Sequence, residues 1–390
     1  MHIAERISRL GTETAFEVLV RARALEAQGK NIVHLEIGEP DFDTPANIIT
    51  AAKDALDNGY THYTPSAGLP AAREAIADYI NKTRGYDMYN ANEIIITPGG
   101  KPIMFYGLMA TVDPGDEVIY PNPGFPIYES MINFLGAKPV PLPLREEKEF
   151  RFDVADLEAR ITAKTRIVII NTPQNPTGGI LTDDDLRQIA ELAVKHDLIV
   201  LSDEIYSQIT YDGFKHDTIT RYPGMKERTI LLDGFSKTFA MTGWRLGYGA
   251  MPEDIAKVVA KLQTNSVSCT AAFNQMAGIE ALSDRTLSRV GEFVEEFRRR
   301  RDIIVAGLNS IPGIRCHSPK GAFYVFPNIT GTGMTSQQCA DFFLYEAGVA
   351  CLNGATFGAH GEGFIRFSYA NSIENIQEAI RRISVALASR

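Results

Sequence analysis

Lys237 sits in "DGFSKTFAMTGWRLG", directly after the apolar run "TILLDGFS" and eight residues before Arg245. A lysine at the end of a buried strand must find a partner, give up its charge or become covalently bonded. Alone, it reads as a loop lysine, and Arg245 as an ordinary ion-pair partner. Other chemistry-bearing residues fall at comparable places. Asp203 ends "LIVLSDE", where a carboxylate is protonated, structurally bonded or turned toward a fixed cation. Tyr206, three residues on, either faces the same ligand or packs in the core. The glycines of "GGKP" at 99–102 let backbone N–H groups approach a phosphate, or make a plain tight turn. They are not a P-loop, which needs a glycine at Ile95 and Ser or Thr after Lys101. Asn175 in "NPTGG" and Phe125 in "NPGFP" read singly as a turn residue and a core residue. Together these signals fall where one site would form.

Seven short apolar runs must position them: 93–99, 116–121, 138–144, 166–173, 198–204, 229–236 and 245–251. Most are β-branched, continuous and bounded by Gly, Pro or Asp, as strands buried on both faces should be. Helical patterns alternate with them; in "TDDDLRQIAELAVKHD", Thr182 and the following aspartates mark a helix start. The expected fold class is α/β, a mostly parallel, roughly seven-stranded sheet with helices on both faces. In such sheets ligands gather at the carboxyl ends of the strands, where the residues above lie. Upstream, "SRLGTETAFEVLVRARALEAQG" reads as a helix ended by Gly29, and downstream "SRVGEFVEEFRRRRDIIVAGLNS" reads as one long helix. The expected division is a large domain at 48–285 and a small α+β domain from 1–47 and 286–390.

Composition narrows the function classes. A net charge of −9 argues against a nucleic-acid partner, which would want a basic face. No apolar run approaches the roughly 18 residues of a membrane span, and "MHIAERISRLGTETAF" lacks the apolar core of a signal peptide. Four dispersed cysteines without C-x-x-C spacing or a nearby histidine cluster suggest reduced thiols in a cytoplasmic protein rather than disulfides or a metal site.

The stretch Gly234-Phe235-Ser236-Lys237, with Arg245 and Gly247 following, resembles the cofactor-lysine signature of class I/II aminotransferases, enzymes of fold type I that use pyridoxal 5′-phosphate. The likeness, closest in kind to aspartate aminotransferases, covers nearly the whole chain. It includes "IGEPDFDTP", "HYTPSAGLPAAREAI", "NPTGG", "SDEIY" and "FIRFSYA" in the family's order. It implies that Lys237 bonds the cofactor and serves as acid and base, that Asp203 pairs with the ring nitrogen, and that Asn175 and Tyr206 bond the ring's phenolic oxygen. Gly100, the Lys101 backbone, Ser236 and Arg245 would surround the phosphate, with Phe125 stacked on the ring. The partner subunit's Tyr63 would reach the phosphate, implying a homodimer with shared sites. Arg366, beside Gly38 and Asn175, would grip the substrate's α-carboxylate. Many relatives carry a serine in place of Gly234, a hydroxyl this chain lacks.

The resulting expectation is an aminotransferase exchanging an amino group between an α-amino acid and a 2-oxo acid by a ping-pong mechanism. Aspartate or glutamate with 2-oxoglutarate is the expected pair, followed by alanine or an aromatic amino acid. The same cofactor residues also suit a β-lyase, racemase-like or oxidase reaction. A cofactor-binding regulatory module is a reading from another class; an NAD enzyme would need a G-x-G-x-x-G after an early strand. No position for a second cation is apparent, and "LGTETAF", with Thr12, Thr14 and Phe16, is expected to lie over the site.

Overall fold

The computed structural model describes residues 2–390. All seven expected runs are strands of one sheet: β2 (Ile94–Thr97), β3 (Glu117–Asn122), β4 (Lys138–Pro143), β5 (Thr165–Asn171), β6 (Ile199–Asp203), β7 (Thr229–Gly234) and β8 (Gly247–Ala250), with β1 (Val33–His34) lying apart. Their spatial order is β2-β8-β7-β6-β5-β3-β4. Pairs from β7 to β4 are parallel, whereas β8 runs antiparallel to both β7 and β2. Pro139, Pro141 and Pro143 fall on β4 at the sheet edge, where a missing N–H costs least.

Alternate residues feed opposite faces. Ile95, Val118, Ile167, Leu201 and Ile230 join the helices Lys101–Thr111, Ile127–Leu135 and Glu253–Ser266 on one side. Ile119, Val168 and Val200 meet the helix Asp183–Lys195 on the other. Further along that second face, Ile94, Ile96 and Leu231 meet Pro70–Arg84 and Ala272–Ala281. The Thr182 hydroxyl accepts from the Asp185 N–H while Asp185 bonds back to the Thr182 N–H, closing a capping box.

The remaining strands come from both ends of the chain. The 26-residue helix Asp284–Asn309, N-capped by Ser283, leads to β9 (Tyr324–Val325), β10 (Val349–Ala350), β11 (Leu352–Asn353) and β12 (Ile365–Ser368). Strand β10 pairs with β1, and β11-β12-β9 form an antiparallel sheet. The upstream segment departs from the expected single helix: a turn at Glu5–Arg9 precedes a helix that begins only at Ala15 and ends at Glu26. Between them Gly11 is tied down by Ser130, whose Oγ accepts from its N–H at 2.9 Å and donates to its carbonyl at 3.2 Å. These tertiary hydrogen bonds replace helical ones and direct Glu13 and Thr14 toward the sheet's carboxyl end.

Candidate functional site

The carboxyl ends of β5, β6 and β7 open into a cavity of about 840 Å³. Its walls include Gly38, Gly100, Lys101, Phe125, Asn175, Asp203, Tyr206, Ser236, Lys237, Arg245 and Arg366, so eleven of the twelve expected site residues face one space. The twelfth, Tyr63, is 88% exposed and lies outside this chain's cavity.

Lys237 follows β7, and its Nζ donates to the Gly38 carbonyl at 2.5 Å. Gly38 must be glycine for close approach, because a Cβ there would collide with the Tyr324 hydroxyl. Burial brings the ammonium pKa down to about 8, with Arg366 and Lys101 adding like-charge repulsion against the pull of Glu13 and Glu39. Asp203, at the end of β6, is pushed up to about 6 by burial. The Tyr128 hydroxyl donates to its Oδ2 at 2.5 Å and the Ile205 N–H to its Oδ1 at 3.2 Å, which offset part of that penalty. Among the described residues Asp203 thus has hydrogen-bond donors but no cation.

Asn175 is held by its own N–H, which donates to Asn171 Oδ1 at 2.9 Å, while its Oδ1 accepts from Arg366 Nη1 at 3.2 Å. Arg366, on β12, also donates to the Glu36 carbonyl, and its guanidinium lies 4.6 Å from the Tyr324 ring centroid. Its buried Nε has no hydrogen-bond partner, and burial lowers its pKa despite Tyr324 and Tyr206. Arg366 lines the cavity, where its guanidinium suits a planar anion. The Tyr206 hydroxyl pairs with that of Tyr324 at 2.7 Å.

Arg245 holds a left-handed φ of +52° and donates from Nη1 to the Thr242 carbonyl at 2.8 Å. Its other nitrogen lies where a Cβ on Gly99 would be, and Gly247 packs so closely on the Gly99–Gly100 turn that it too admits no side chain. Gly100 caps the helix Lys101–Thr111, so a helix N-terminus and a guanidinium converge beside Ser236. A Cβ at Gly234 would lie 3.0 Å from Gly247 Cα, so a serine there would need the β7–β8 contact to give by a few tenths of an ångström.

Sequence reasoning missed two residues here and the side-chain role of a third. Tyr128 lies one helical turn after Phe125 in "NPGFPIYES", a spacing that would have indicated a shared face. Tyr324 follows Phe323 in "GAFYVF", where nothing local marks it out. Lys101, expected to contribute its backbone, also places a cation in the cavity, its Nζ paired with Glu13 and 5.5 Å from the Phe125 ring centroid. Thr14 and Phe16 line the cavity and Thr12 does not.

The arrangement brings together an amine of lowered basicity, a carboxylate without a cation, an anion cradle, a flat aromatic surface and an orphaned guanidinium donor. The family model "Aminotransferase class I and II" matches residues 30–383. The chain is 45% identical over 362 residues to an aspartate aminotransferase of Pyrococcus abyssi, covering 93% of each protein. It is 44% identical to the aromatic-amino-acid aminotransferase 2 of Thermococcus litoralis, covering 93% of this chain and 94% of that one. The solved aspartate aminotransferase of Thermus thermophilus with maleate superposes with a TM-score of 0.94 at 36% identity, covering 99% of this chain and 100% of that one. The chain belongs to the class I and II aminotransferases, is a transaminase, and has the fold type I architecture of that family.

Proposed function

We propose that this aminotransferase uses pyridoxal 5′-phosphate bound through Lys237 and exchanges the amino group of aspartate or glutamate with 2-oxoglutarate by a ping-pong mechanism. The observation that carries the reading is the pairing, in one cavity, of a lysine brought down to about 8 with a buried carboxylate that lacks a cation. The residues fit the group: Asp203 for a protonated ring nitrogen, Asn175 and Tyr206 for a phenolic oxygen, Phe125 for the ring face. Gly100, the Lys101 backbone, Ser236 and Arg245 suit the phosphate. When bound, this cofactor supplies a carbonyl for amine exchange and a ring that accepts electrons.

Lys237 Nζ, its basicity lowered by burial, would take the proton from the substrate's Cα and return one after exchange. Asp203 would hold a proton on the cofactor's ring nitrogen, and Tyr128 orients that carboxylate. Arg366 binds the α-carboxylate through two parallel donors, with Asn175 and Gly38 beside it. Lys101 answers a second carboxylate once Glu13 gives way, which favours dicarboxylic substrates. Phe16 and Leu19 on the same wall favour an aromatic donor as the second reading.

The exposure of Tyr63 supports a homodimer in which the partner subunit's Tyr63 completes the phosphate site. All seven strands of the large sheet fall within 48–285 and the short strands outside it, which supports a large domain there and a small one from 1–47 and 286–390. The four cysteines are free, in keeping with a reducing, cytoplasmic setting; among the described residues no helix is long and apolar enough to cross a membrane. Borohydride reduction of the yellow protein followed by peptide mapping should label Lys237; a label on Lys101 would overturn the assignment. Mixing with single amino acids under no oxo acid should give one equivalent of oxo acid, fastest with aspartate or glutamate. Continuous ammonia release would instead indicate lyase or oxidase chemistry.

A further inference from the structure

Directly behind the site lies a buried ionic cluster that the proposed chemistry does not use. Arg84, the last residue of the helix Pro70–Arg84, donates through Nε and Nη2 to Glu204 Oε2 at 3.1 and 2.9 Å, and through Nη2 to Asp233 Oδ2 at 3.0 Å. His216 Nε2 lies 2.7 Å from the same Glu204 oxygen. Ser202 and Thr218 donate to the other Glu204 oxygen at 3.1 and 2.7 Å, and Ser207 donates to Asp233 at 3.1 Å. The Arg84, Glu204, Asp233 and His216 side chains are at most 3% exposed. Burying so many charges is expensive, and apolar replacements of similar volume are often at least as stable. A structural need alone therefore does not explain the cluster.

Its connections give a reason. Glu204 adjoins Asp203, Ser207 adjoins Tyr206, and Asp233 precedes Lys237 by four residues. The Glu204 N–H donates to the Leu232 carbonyl at 2.8 Å, and the Gly234 N–H to Asp233 Oδ1 at 2.7 Å, so the cluster joins the ends of β6 and β7 at the functional residues. We infer that Arg84 and His216 are positioning residues: by clamping Glu204 and Asp233 they fix Asp203 and Lys237 relative to each other and balance two carboxylates that would otherwise act on Asp203. Burial opposes ionisation of Glu204, but His216 and Arg84 outweigh it and hold its carboxyl at about 2. Asp203 feels both Glu204 and Asp233 as like charges. The other titratable groups facing the cluster are Asp217, raised by burial and drawn back down in part by His216, and the buried phenols of Tyr79, Tyr89 and Tyr248, which burial keeps neutral.

This inference rests on the cofactor reading above, and its test separates the two. His216→Phe removes the contact to Glu204, and His216→Gln restores a neutral donor. In the loaded enzyme, His216→Phe should lower kcat about ten-fold while the KM for the amino donor stays within about two-fold, because Arg366 is untouched. It should also move the pH midpoint of the cofactor's visible absorbance by at least about half a unit. His216→Gln should recover most of both. In the cofactor-free protein, amide exchange at Glu204 and Gly234 should quicken about ten-fold or more in His216→Phe, whether or not any cofactor binds. An unchanged absorbance midpoint with unchanged kcat, or His216→Gln behaving as His216→Phe, would overturn the positioning role. If His216→Phe does not fold, Thr218→Val, which removes one hydrogen bond to Glu204, gives the same readouts at smaller amplitude and is refuted by the same null shift. Borohydride labelling of Lys237 alongside a silent His216→Phe would sink this inference alone, whereas no label on Lys237 would sink the cofactor reading.

Discussion

Replacing Lys237 with methionine should make the cofactor-free protein more stable near neutral pH, at the expense of activity. Burial lowers the lysine from 10.5 to about 8, a gap that corresponds to about 3 kcal/mol of unfavourable charge desolvation. Methionine has similar length and no charge, but it forfeits the hydrogen bond to the Gly38 carbonyl, a loss of about 1 kcal/mol or somewhat more. The net expectation is a variant about 1–2 kcal/mol more stable at pH 7. Between pH 8 and 10.5 the unfolded wild-type chain keeps a proton that the folded chain has lost. Wild-type stability therefore rises with pH relative to the variant, and the variant's advantage should vanish and reverse by about pH 10.5. Other lysines and tyrosines titrate in this window in both proteins and cancel in the difference. Urea denaturation at one protein concentration, at pH 7, 8, 9 and 10.5, measures it. A difference that does not change with pH would show that Lys237 is not desolvated, and the reasoning about its basicity would fall with it.

Arg366→Lys should raise the KM for every amino donor by about 10- to 100-fold, since one ammonium replaces two parallel charge-assisted donors; steady-state kinetics across a donor panel checks it. Tyr128→Phe removes only the hydroxyl bonded to Asp203, so the carboxyl should move above about 6 and cofactor affinity should fall about ten-fold by fluorescence titration. Lys101→Met should cut kcat/KM for aspartate and glutamate by about 10- to 100-fold and leave aromatic donors within about two-fold; equal losses for both classes would remove Lys101 from substrate selection.

Most of the sheet was legible because its central strands are buried on both faces and written as continuous β-branched runs; edge strand β4, partly exposed, is marked instead by its prolines. The strand-end residues were legible for a related reason: Asp203 and Lys237 are charges placed where burial is expected, and such misfits ask for an explanation. What the sequence hid depends on pairs distant along the chain. Gly11 bonds Ser130, 119 residues away, and this interrupts a segment whose local pattern favours one helix. Glu13 meets Lys101 across 88 residues, and Tyr206 meets Tyr324 across 118. Periodicity reports the local backbone and the side of an element a residue occupies; it carries no information about which side chain arrives opposite.

Asp203 and Glu204 show why the position of a carboxylate matters more than its burial. They are consecutive, both are buried, and they turn to opposite sides of the β6 end. Glu204 meets Arg84 and His216 and is held at about 2, whereas Asp203 meets a phenol and a backbone N–H and is driven to about 6. Neutral donors of this kind orient a carboxylate without supplying the charge that would keep it ionised. Lys237 is the mirror case, given a carbonyl in place of an anion and brought down to about 8. A ligand with a basic ring nitrogen and an electrophilic carbonyl would satisfy both, as the proposed cofactor does. The protein thus uses its ion pairs on the interior side of the strand ends, where rigidity is needed. It leaves Asp203 and Lys237 without an ion-pair partner on the cavity side, where a ligand's own groups would complete them.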